Sequence, residues 1–375
     1  MYRLNLFITL AVTASVSVAT TSQPNCITTL LPVRVNATNK DLNIEAPKSQ
    51  DELTGFATRF TSLNSNVTTD VIKGDITNNA TYNIWTKLCI PQTQDAHKTV
   101  ELAVHGIGFD HTYWTFGGPG SKYNYVDAAL ASGHAILVYD RLGVGLSDKP
   151  DGIKEVQTAT EVEIAAQLGL HLKSRPSGQQ FNRVVAVGHS YGSVQLIGVA
   201  SNHGNLFDAT VLTGFAPFSG GFLSAFSGFG MTIAAIQEPK RFGSLHSSYL
   251  ATANIVADQQ LFFRFPNFDP AVLRASEATK QTATLGELIT QGASVAANYT
   301  NPVFALTGDK DYIFCGGDCY QKVDGSANLI EPVKFLFPGV TNFAFNIPAE
   351  TGHGINFHLN AQESFSQIQS FINSL

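Results

Sequence analysis

Short apolar runs alternate with amphipathic stretches along most of the chain. The apolar runs are rich in valine, isoleucine and leucine and end at glycine, aspartate or asparagine, a pattern typical of buried strands. Strands are expected near residues 99–104, 134–140, 183–188, 208–213, 302–307 and 343–347. Strands that alternate with helices in this way predict an α/β fold, with a mainly parallel central sheet and helices on both faces.

Two of the intervening helices have recognisable patterns. Thr160 to Glu163 has the form of a capping box, which predicts a helix that begins at Thr160. Near the end of the chain, apolar residues share one helical face: Ala361, Phe365, Ile368, Ile372 and Leu375.

A long insertion is expected between the fourth and fifth strands. Residues 214–301, roughly ninety, are far more than a crossover needs, so we predict a cap. Its first part belongs to an uncharged stretch, Ala209 to Gln237, which Pro217 and several glycines prevent from forming one membrane-spanning helix. Phenylalanines predict a strongly apolar inner surface: Phe215, Phe218, Phe222, Phe226 and Phe229. Because aromatic stripes usually form core, we expect only some of these side chains to contact a ligand.

The N-terminus has the pattern of a secretory signal peptide. One arginine precedes an uncharged apolar stretch that ends in small residues, so we predict residues 1–19 as the signal peptide and cleavage near Ala19. A membrane anchor is the weaker alternative, because the stretch is short and contains threonine and serine. The protein is therefore expected to be secreted, without a stable membrane anchor.

Sequons and cysteines agree with an oxidising compartment. Sites for N-linked glycans are predicted at Asn36, Asn66, Asn79 and Asn298. Four cysteines allow three pairings, and we favour Cys26 with Cys89 and Cys315 with Cys319. A metal site is the alternative use of cysteine, but no CxxC and no matching histidine spacing is present, so we expect no metal.

Composition favours one large domain over residues 20–375, with an N-terminal extension over 20–80 that we expect to form strands and loops around the sheet edge. The chain has 375 residues, 44% hydrophobic and 14% charged, with a formal net charge of -6. Without a basic surface, nucleic acid is not expected as a partner. The glycine-rich turns complete neither G-x-G-x-x-G nor Gly-Lys-Ser/Thr, so we expect no nucleotide cofactor.

One pentapeptide indicates a catalytic nucleophile. Gly188 to Gly192 reads G-x-S-x-G and follows an apolar strand, the pattern of a nucleophile elbow. In such an elbow a sharp turn between strand and helix exposes the central serine, so Ser190 is the predicted nucleophile.

A serine nucleophile needs a base and an acid that orients it. His353, between two glycines after the last strand, is the predicted base, ahead of His105, His189 and His358. The acid is predicted as Asp311, after the fifth strand, but Asp309 lies two residues earlier and an exchange of roles stays open.

Backbone amides must also stabilise the oxyanion. The amide after the nucleophile, Tyr191, is one predicted donor. The glycine-rich loop after the first strand supplies the other, for which Ile107 is preferred and Gly108 is close behind.

Together these motifs resemble the α/β-hydrolase superfamily, and more narrowly its secreted fungal-type members. The resemblance covers roughly residues 80–375 and rests on five motifs: His105 to Gly108, Asp140 to Ser147, Gly188 to Gly192, Gly308 to Asp311 and Gly352 to Gly354. It implies the α/β-hydrolase fold and a Ser190, Asp311 and His353 triad with the Tyr191 and Ile107 amides. Epoxide hydrolases and haloalkane dehalogenases of this fold need a carboxylate at the elbow, so the serine argues against both.

The expected function is hydrolysis, through an acyl-enzyme, of an ester or lactone of a hydrophobic small molecule. The alternative is a protein of this fold that performs a non-hydrolytic step in secondary-metabolite biosynthesis, or that binds a hydrophobic metabolite without turnover. The sequence leaves the substrate and the oligomeric state open.

Overall fold

The computed structural model describes residues 25–174, 178–218, 220–323 and 325–375. The predicted signal peptide, residues 1–19, lies outside the described residues. The described strands, in chain order, are β1 (Asn25–Leu42), β2 (Ile72–Ile90), β3 (Thr99–Val104), β4 (Ala135–Tyr139), β5 (Arg183–His189), β6 (Ala209–Thr213), β7 (Thr232–Ile233), β8 (Tyr249–Ala251), β9 (Ala283–Thr284), β10 (Val303–Leu306) and β11 (Phe343–Asn346).

The described helices lie between and after these strands. They are α1 (Gln50–Thr61), α2 (Val67–Val71), α3 (Tyr125–Ala131), α4 (Thr158–Lys173), α5 (Tyr191–His203), α6 (Phe222–Phe229), α7 (Ala234–Gln237), α8 (Pro239–Phe242), α9 (Ile255–Phe262), α10 (Pro270–Thr279), α11 (Leu285–Thr290), α12 (Tyr312–Cys315) and α13 (Ala361–Asn373). Among these helices none is long and apolar enough to cross a lipid bilayer.

The central sheet has the order β1-β2-β4-β3-β5-β6-β10-β11. From β4 to β11 all neighbouring strands are parallel, and only the β1–β2 and β2–β4 pairs are antiparallel. The six sequence-predicted strands correspond to β3, β4, β5, β6, β10 and β11. The expected α/β fold with a mainly parallel sheet is therefore confirmed.

Helices cover both faces of this sheet. Apolar side chains of α4 and α5 pack in one core layer, whereas those of α3 and α13 pack in the other. The chain therefore leaves adjacent strands β3 and β5 toward opposite faces, and the loops at their carboxyl ends separate. A crevice at such a point is where open α/β sheets bind ligands.

The N-terminal extension supplies strands at the sheet edge, as expected, but it also contains helices that were not expected. β1 and β2 form a long hairpin, of which only Thr86–Cys89 pair with β4. The hairpin continues over α4, and the segment between its strands contains two helices, α1 and α2. Helix α1 contacts α6 and β7, which belong to the insertion between β6 and β10, whereas α2 contacts α1 and β2. A disulfide joins Cys26 to Cys89, directly paired residues of the hairpin.

The capping box predicted at Thr160 is wrong. Helix α4 begins at Thr158, two residues earlier, and the Gln157 side chain makes no capping bond to it. Instead the side-chain amide of Gln157 makes two hydrogen bonds with the Lys40 backbone. Its Oε1 accepts from Lys40 N at 2.8 Å, and its Nε2 donates to Lys40 O at 2.9 Å. The Thr160 hydroxyl donates to Asn39 Oδ1 at 3.0 Å. These long-range contacts with the hairpin replace the local cap.

A buried polar network ties the sheet to the last helix. Glu101, in the middle of β3, accepts hydrogen bonds from Tyr125 at 2.6 Å and from Gln369 at 3.0 Å. His134 Nδ1 lies 2.9 Å from Glu101 Oε1, and its Nε2 lies 3.0 Å from Asn373 Oδ1. Burial alone lowers the pKa of His134, but the hydrogen bond and charge of Glu101 outweigh this effect and raise the pKa above its usual value.

We expect this ion pair to make stability depend on pH. Because the pKa of His134 is raised in the folded state, the pair contributes fully to the free energy of unfolding below the unfolded-state pKa of about 6.5. The contribution is lost as the pH rises through the folded-state pKa of His134. His134→Gln should therefore reduce the free energy of unfolding more at pH 5.5 than at pH 9, by roughly 1 kcal/mol. Urea unfolding at both pH values checks this. The exposed His97 gives a matched control, because His97→Gln should show no such difference; an equal loss for His134→Gln at both pH values would contradict the ionic role.

Candidate active site

The elbow is built from a strained residue between two crowded glycines. Ser190 has φ 56° and ψ -119°, in the region that non-glycine residues rarely occupy. Its amide donates to Thr213 O at 2.8 Å, which fastens the turn to β6. A Cβ at Gly188 would lie 2.7 Å from Ser193 N, and one at Gly192 would collide with Val104 O, so the sharp turn needs glycine at both positions.

The predicted base contacts the predicted acid. His353 Nδ1 lies 2.7 Å from Asp311 Oδ2, and both side chains are buried. Asp309 has a different role: its Oδ1 accepts from the Thr351 amide at 3.0 Å and so holds the loop that carries His353. Of the two aspartates left open by the sequence, Asp311 is thus the one that contacts the imidazole.

The other ring nitrogen of His353, Nε2, is not bound to Asp311. Among the described residues, His353 Nε2 is buried without a hydrogen-bond partner. Its ring packs against those of Phe262 and Phe314, with centroids 6.1 and 5.8 Å away. Both phenylalanines line a cavity together with Ser190. Hydrogen bonds between nucleophile and base are often long before substrate binds, so the free nitrogen agrees with a general base.

This cavity, which we call the elbow cavity, encloses about 60 Å³ between the sheet and the cap. Ser190, Tyr191 and Ile107 form its floor, and Ser190 is only 8% exposed. The Tyr191 amide is the first of α5 and therefore has no acceptor within that helix. The remaining lining residues come from the cap and α12 and are almost all apolar: Phe222, Ala225, Phe226, Phe229, Leu261, Phe262, Leu288, Gln291, Ile313 and Phe314.

The predicted acid and part of the cavity wall belong to one short segment. Asp311 is the N-cap of α12, where its Oδ1 accepts from the Phe314 amide at 2.9 Å. Ile313 and Phe314, in the single turn of this helix, line the elbow cavity. The last residue of α12, Cys315, is joined to Cys319 by the second disulfide. The disulfide-closed loop therefore begins one helical turn after Asp311 and restricts the backbone next to it.

A comparison with known families identifies the chain. The model described as "Alpha/beta hydrolase family" matches residues 102–363, more than half of the sequence. The chain belongs to the alpha/beta hydrolase family. Proline iminopeptidase from Clostridium botulinum is 33% identical over 90 residues, which are 23% of this chain and 28% of that enzyme. The chain is thus matched to little more than a quarter of that relative's length.

Solved structures of other alpha/beta hydrolases share the fold. A putative non-haem bromoperoxidase from Mycobacterium tuberculosis is 16% identical, with 78% of this chain and 96% of that chain covered and a TM-score of 0.53. Monoacylglycerol lipase from Paleococcus ferrophilus is 14% identical, with coverages of 78% and 99% and a TM-score of 0.51. At these identities the similarity concerns the fold alone.

The three competing histidines of this alpha/beta hydrolase are buried and uncharged. Burial, with the nearby Arg141 charge, lowers the pKa of His105 to about 3, and burial lowers the pKa of His358 to about 4. Burial, followed by the proximity of His353, lowers the pKa of His189 well below its usual value. His358 has a positioning role that the sequence did not reveal. Its Nε2 accepts from the amides of Arg264 and Gly352, at 2.9 and 3.0 Å, and so connects the cap to the loop that carries His353.

A buried ion cluster beneath the elbow was also missed by the sequence patterns. Arg141 Nη1 donates to Glu161 at 2.6 Å and to Glu287 at 2.5 Å. The guanidinium lies 4.8 Å from the centre of the Tyr191 ring. Because Glu287 belongs to α11 of the cap, Arg141 connects the cap to Tyr191, the residue that follows Ser190. Burial, opposed by Arg141, raises the pKa of the Glu161 carboxyl well above its usual value.

One cluster in this hydrolase has the composition of a metal site. Ligand atoms of Asp110, His111 and Asp140 lie within 4.8 Å of one another. The carboxylates already accept protein hydrogen bonds, however. Asp140 accepts from the His111 amide and ring, and Asp110 accepts from Thr112 and Gln281. We therefore interpret the cluster as a hydrogen-bond network that stabilises the loop after β3.

Proposed function

We propose that this protein is a serine hydrolase that cleaves an ester or lactone of a hydrophobic small molecule through an acyl-enzyme. The observation that carries the proposal is the 2.7 Å contact between His353 and Asp311 beside a strained elbow serine, all beneath an apolar cap. The serine also separates this chain from hydrolases of the same fold that attack with a carboxylate.

The proposed reaction has two halves. His353 Nε2 takes the proton of Ser190 as Oγ attacks the substrate carbonyl, and the amides of Tyr191 and Ile107 donate to the resulting oxyanion. His353 then protonates the leaving alcohol, and the carbon–oxygen bond to it breaks. In the second half His353 deprotonates a water that attacks the acyl-enzyme, after which Ser190 leaves with the proton. Asp311 keeps the Nδ1 proton in place throughout and stabilises the imidazolium.

The elbow cavity supports an apolar acyl group as substrate. A cavity with mostly aromatic and aliphatic walls stabilises methylene groups, each by about 0.8 kcal/mol, or roughly fourfold in kcat/KM. Its small volume limits how many carbons can benefit. We therefore expect kcat/KM to rise from acetate with increasing acyl length and then to fall.

A series of p-nitrophenyl esters and lactones of graded acyl length tests the proposal. Phe222→Asp should lower kcat/KM for the preferred longer esters by roughly tenfold or more while it spares acetate, because only the former need the apolar wall. Leu223→Asp is the matched control: Leu223 is the next residue of α6 but is 40% exposed and does not line the cavity. Preference of the unaltered protein for acetate, or equal losses for both esters in Phe222→Asp, would contradict the assigned pocket.

We also propose that the protein is secreted and glycosylated. Asn36, Asn66, Asn79 and Asn298 are all exposed, which glycan attachment requires. The two disulfides are of the kind that persists in an oxidising compartment. Intact-mass measurement of the secreted protein before and after enzymatic removal of N-glycans checks this.

A further inference from the structure

Helix α1 of the N-terminal extension is fastened to the cap. The side chain of Gln50, at its first position, makes two hydrogen bonds with the backbone on either side of residue 232. Gln50 Nε2 donates to Met231 O at 3.0 Å, and Ile233 N donates to Gln50 Oε1 at 3.0 Å. The side chain thus imitates a neighbouring strand beside β7. Helix α1 therefore has a defined position over the cap, although it is remote from the cap in sequence.

The far end of α1 supports the wall of the elbow cavity. The ring of Phe60 lies 4.5 Å from that of Phe226, centroid to centroid. Phe226 packs in turn on Phe222, at 5.7 Å, and both of these α6 residues line the cavity. Phe60 is 7% exposed and belongs to the same apolar core layer. Phe226 therefore stands between the cavity and Phe60.

An open groove borders α1 on another side. It encloses about 740 Å³ and is lined by residues of α1, α2 and the preceding loop, with Leu285 of the cap. Leu53, Phe56 and Arg59 of α1 line it, whereas Phe60 does not. The elbow cavity, at about 60 Å³, is much smaller. Phe222, Phe226 and Phe60 thus bound a small cavity, although a much larger open groove lies beside the same helix, α1.

We propose that Phe60 limits the length of the acyl group that the elbow cavity accepts. This proposal rests on the proposed esterase function and assigns a specificity role to a residue outside the cap and the triad. With Phe60 in place, the Phe226 side chain cannot turn away from the cavity, and the cavity ends at the Phe226 ring. A smaller side chain at position 60 gives Phe226 space to turn into, so that the cavity lengthens.

Replacement of Phe60 by alanine tests this. Relative to the unaltered protein, the ester with the highest kcat/KM should be longer by about two carbons, and the preference for that ester over the original optimum should rise roughly tenfold. Phe60→Leu should give a smaller shift in the same direction and guards against misfolding of the alanine variant. Phe56→Ala is the matched control, because Phe56 lies one turn earlier and contacts Phe60 at 5.9 Å but lines the groove.

A second readout separates the two proposals. The rate at which alkyl fluorophosphonates of graded length label Ser190 reports the chain length that the cavity accepts, without requiring ester turnover. Phe60→Ala should shift the alkyl length of fastest labelling in the same direction as the ester optimum. Esterase activity with an unchanged length profile in both Phe60 variants would overturn the role of Phe60 and leave the esterase assignment intact. Absence of ester turnover with a shifted labelling profile would overturn the esterase assignment and support the cavity limit. A shift of equal size in Phe56→Ala would also overturn the specific role of Phe60.

Discussion

Ser190→Ala is expected to lower kcat/KM for the preferred ester by roughly three orders of magnitude or more. The reason is that the covalent route is lost with the nucleophile, whereas the oxyanion amides and the cavity stay in place. The backbone at residue 190 has positive φ, and alanine and serine tolerate this conformation about equally badly. The thermal unfolding midpoint should therefore change little. Steady-state kinetics beside a thermal melt of the same preparation measures both quantities.

Ser193→Ala is a suitable control for the nucleophile. Ser193 lies in the first turn of α5, is fully buried, and donates its hydroxyl to Thr213 O at 2.9 Å. Its loss should reduce stability but leave turnover within a few-fold of the original. A fluorophosphonate should label the unaltered protein and Ser193→Ala, but not Ser190→Ala. Retention of turnover by Ser190→Ala would remove the central assignment, and a folded, unaltered protein that resists labelling would favour ligand binding without turnover.

Asp311→Asn is expected to be nearly as damaging, at roughly three to four orders of magnitude in kcat. Asp311 Oδ1 accepts from the Phe314 amide, so an asparagine keeps its oxygen at that position and turns its NH₂ group toward His353. His353 Nδ1 must then accept rather than donate. The proton moves to Nε2, which can no longer take the proton of Ser190.

Asp309→Asn provides the comparison for the acid. Asp309 accepts from the Thr351 amide with one oxygen, which an asparagine oxygen can replace, so the loss should stay within about tenfold. The kcat values of both variants, measured at several pH values, decide between the two aspartates. A larger loss for Asp309→Asn would reverse the assignment of the acid.

Local patterns in the sequence predicted the parts of the fold that local physics determines. Buried parallel strands require continuous apolar runs, and a sharp turn over β5 requires glycine at positions 188 and 192, so both features are visible without a structure. The loop positions of Asp311 and His353 follow from the order of the strands. These residues could be proposed as partners because parallel strands bring their carboxyl ends to one edge.

The remaining features depend on contacts between residues far apart in the chain. Glu161 lies between the two residues of the predicted capping box and had no predicted role, but it pairs with Arg141, just after β4, a partner shared with Glu287 of the cap. No periodicity marks such a pairing. Helix α1 was not predicted, since strands and loops were expected in this segment. Its position depends on contacts with residues 226–233, which are remote in sequence.

The short helix α12 has a consequence for how substrate preference can change in this hydrolase. Asp311, which contacts His353, and Phe314, which lines the cavity, lie in the same turn and are joined by a hydrogen bond. Cys315 fixes the end of that turn. A mutation that enlarges the cavity from this side therefore also disturbs the acid, so gains in substrate range carry a loss in rate. Phe226 of α6, which lines the cavity, and Phe60 of α1, which packs behind it, are not bonded to Asp311, and laboratory evolution toward bulkier substrates should accumulate its first changes there.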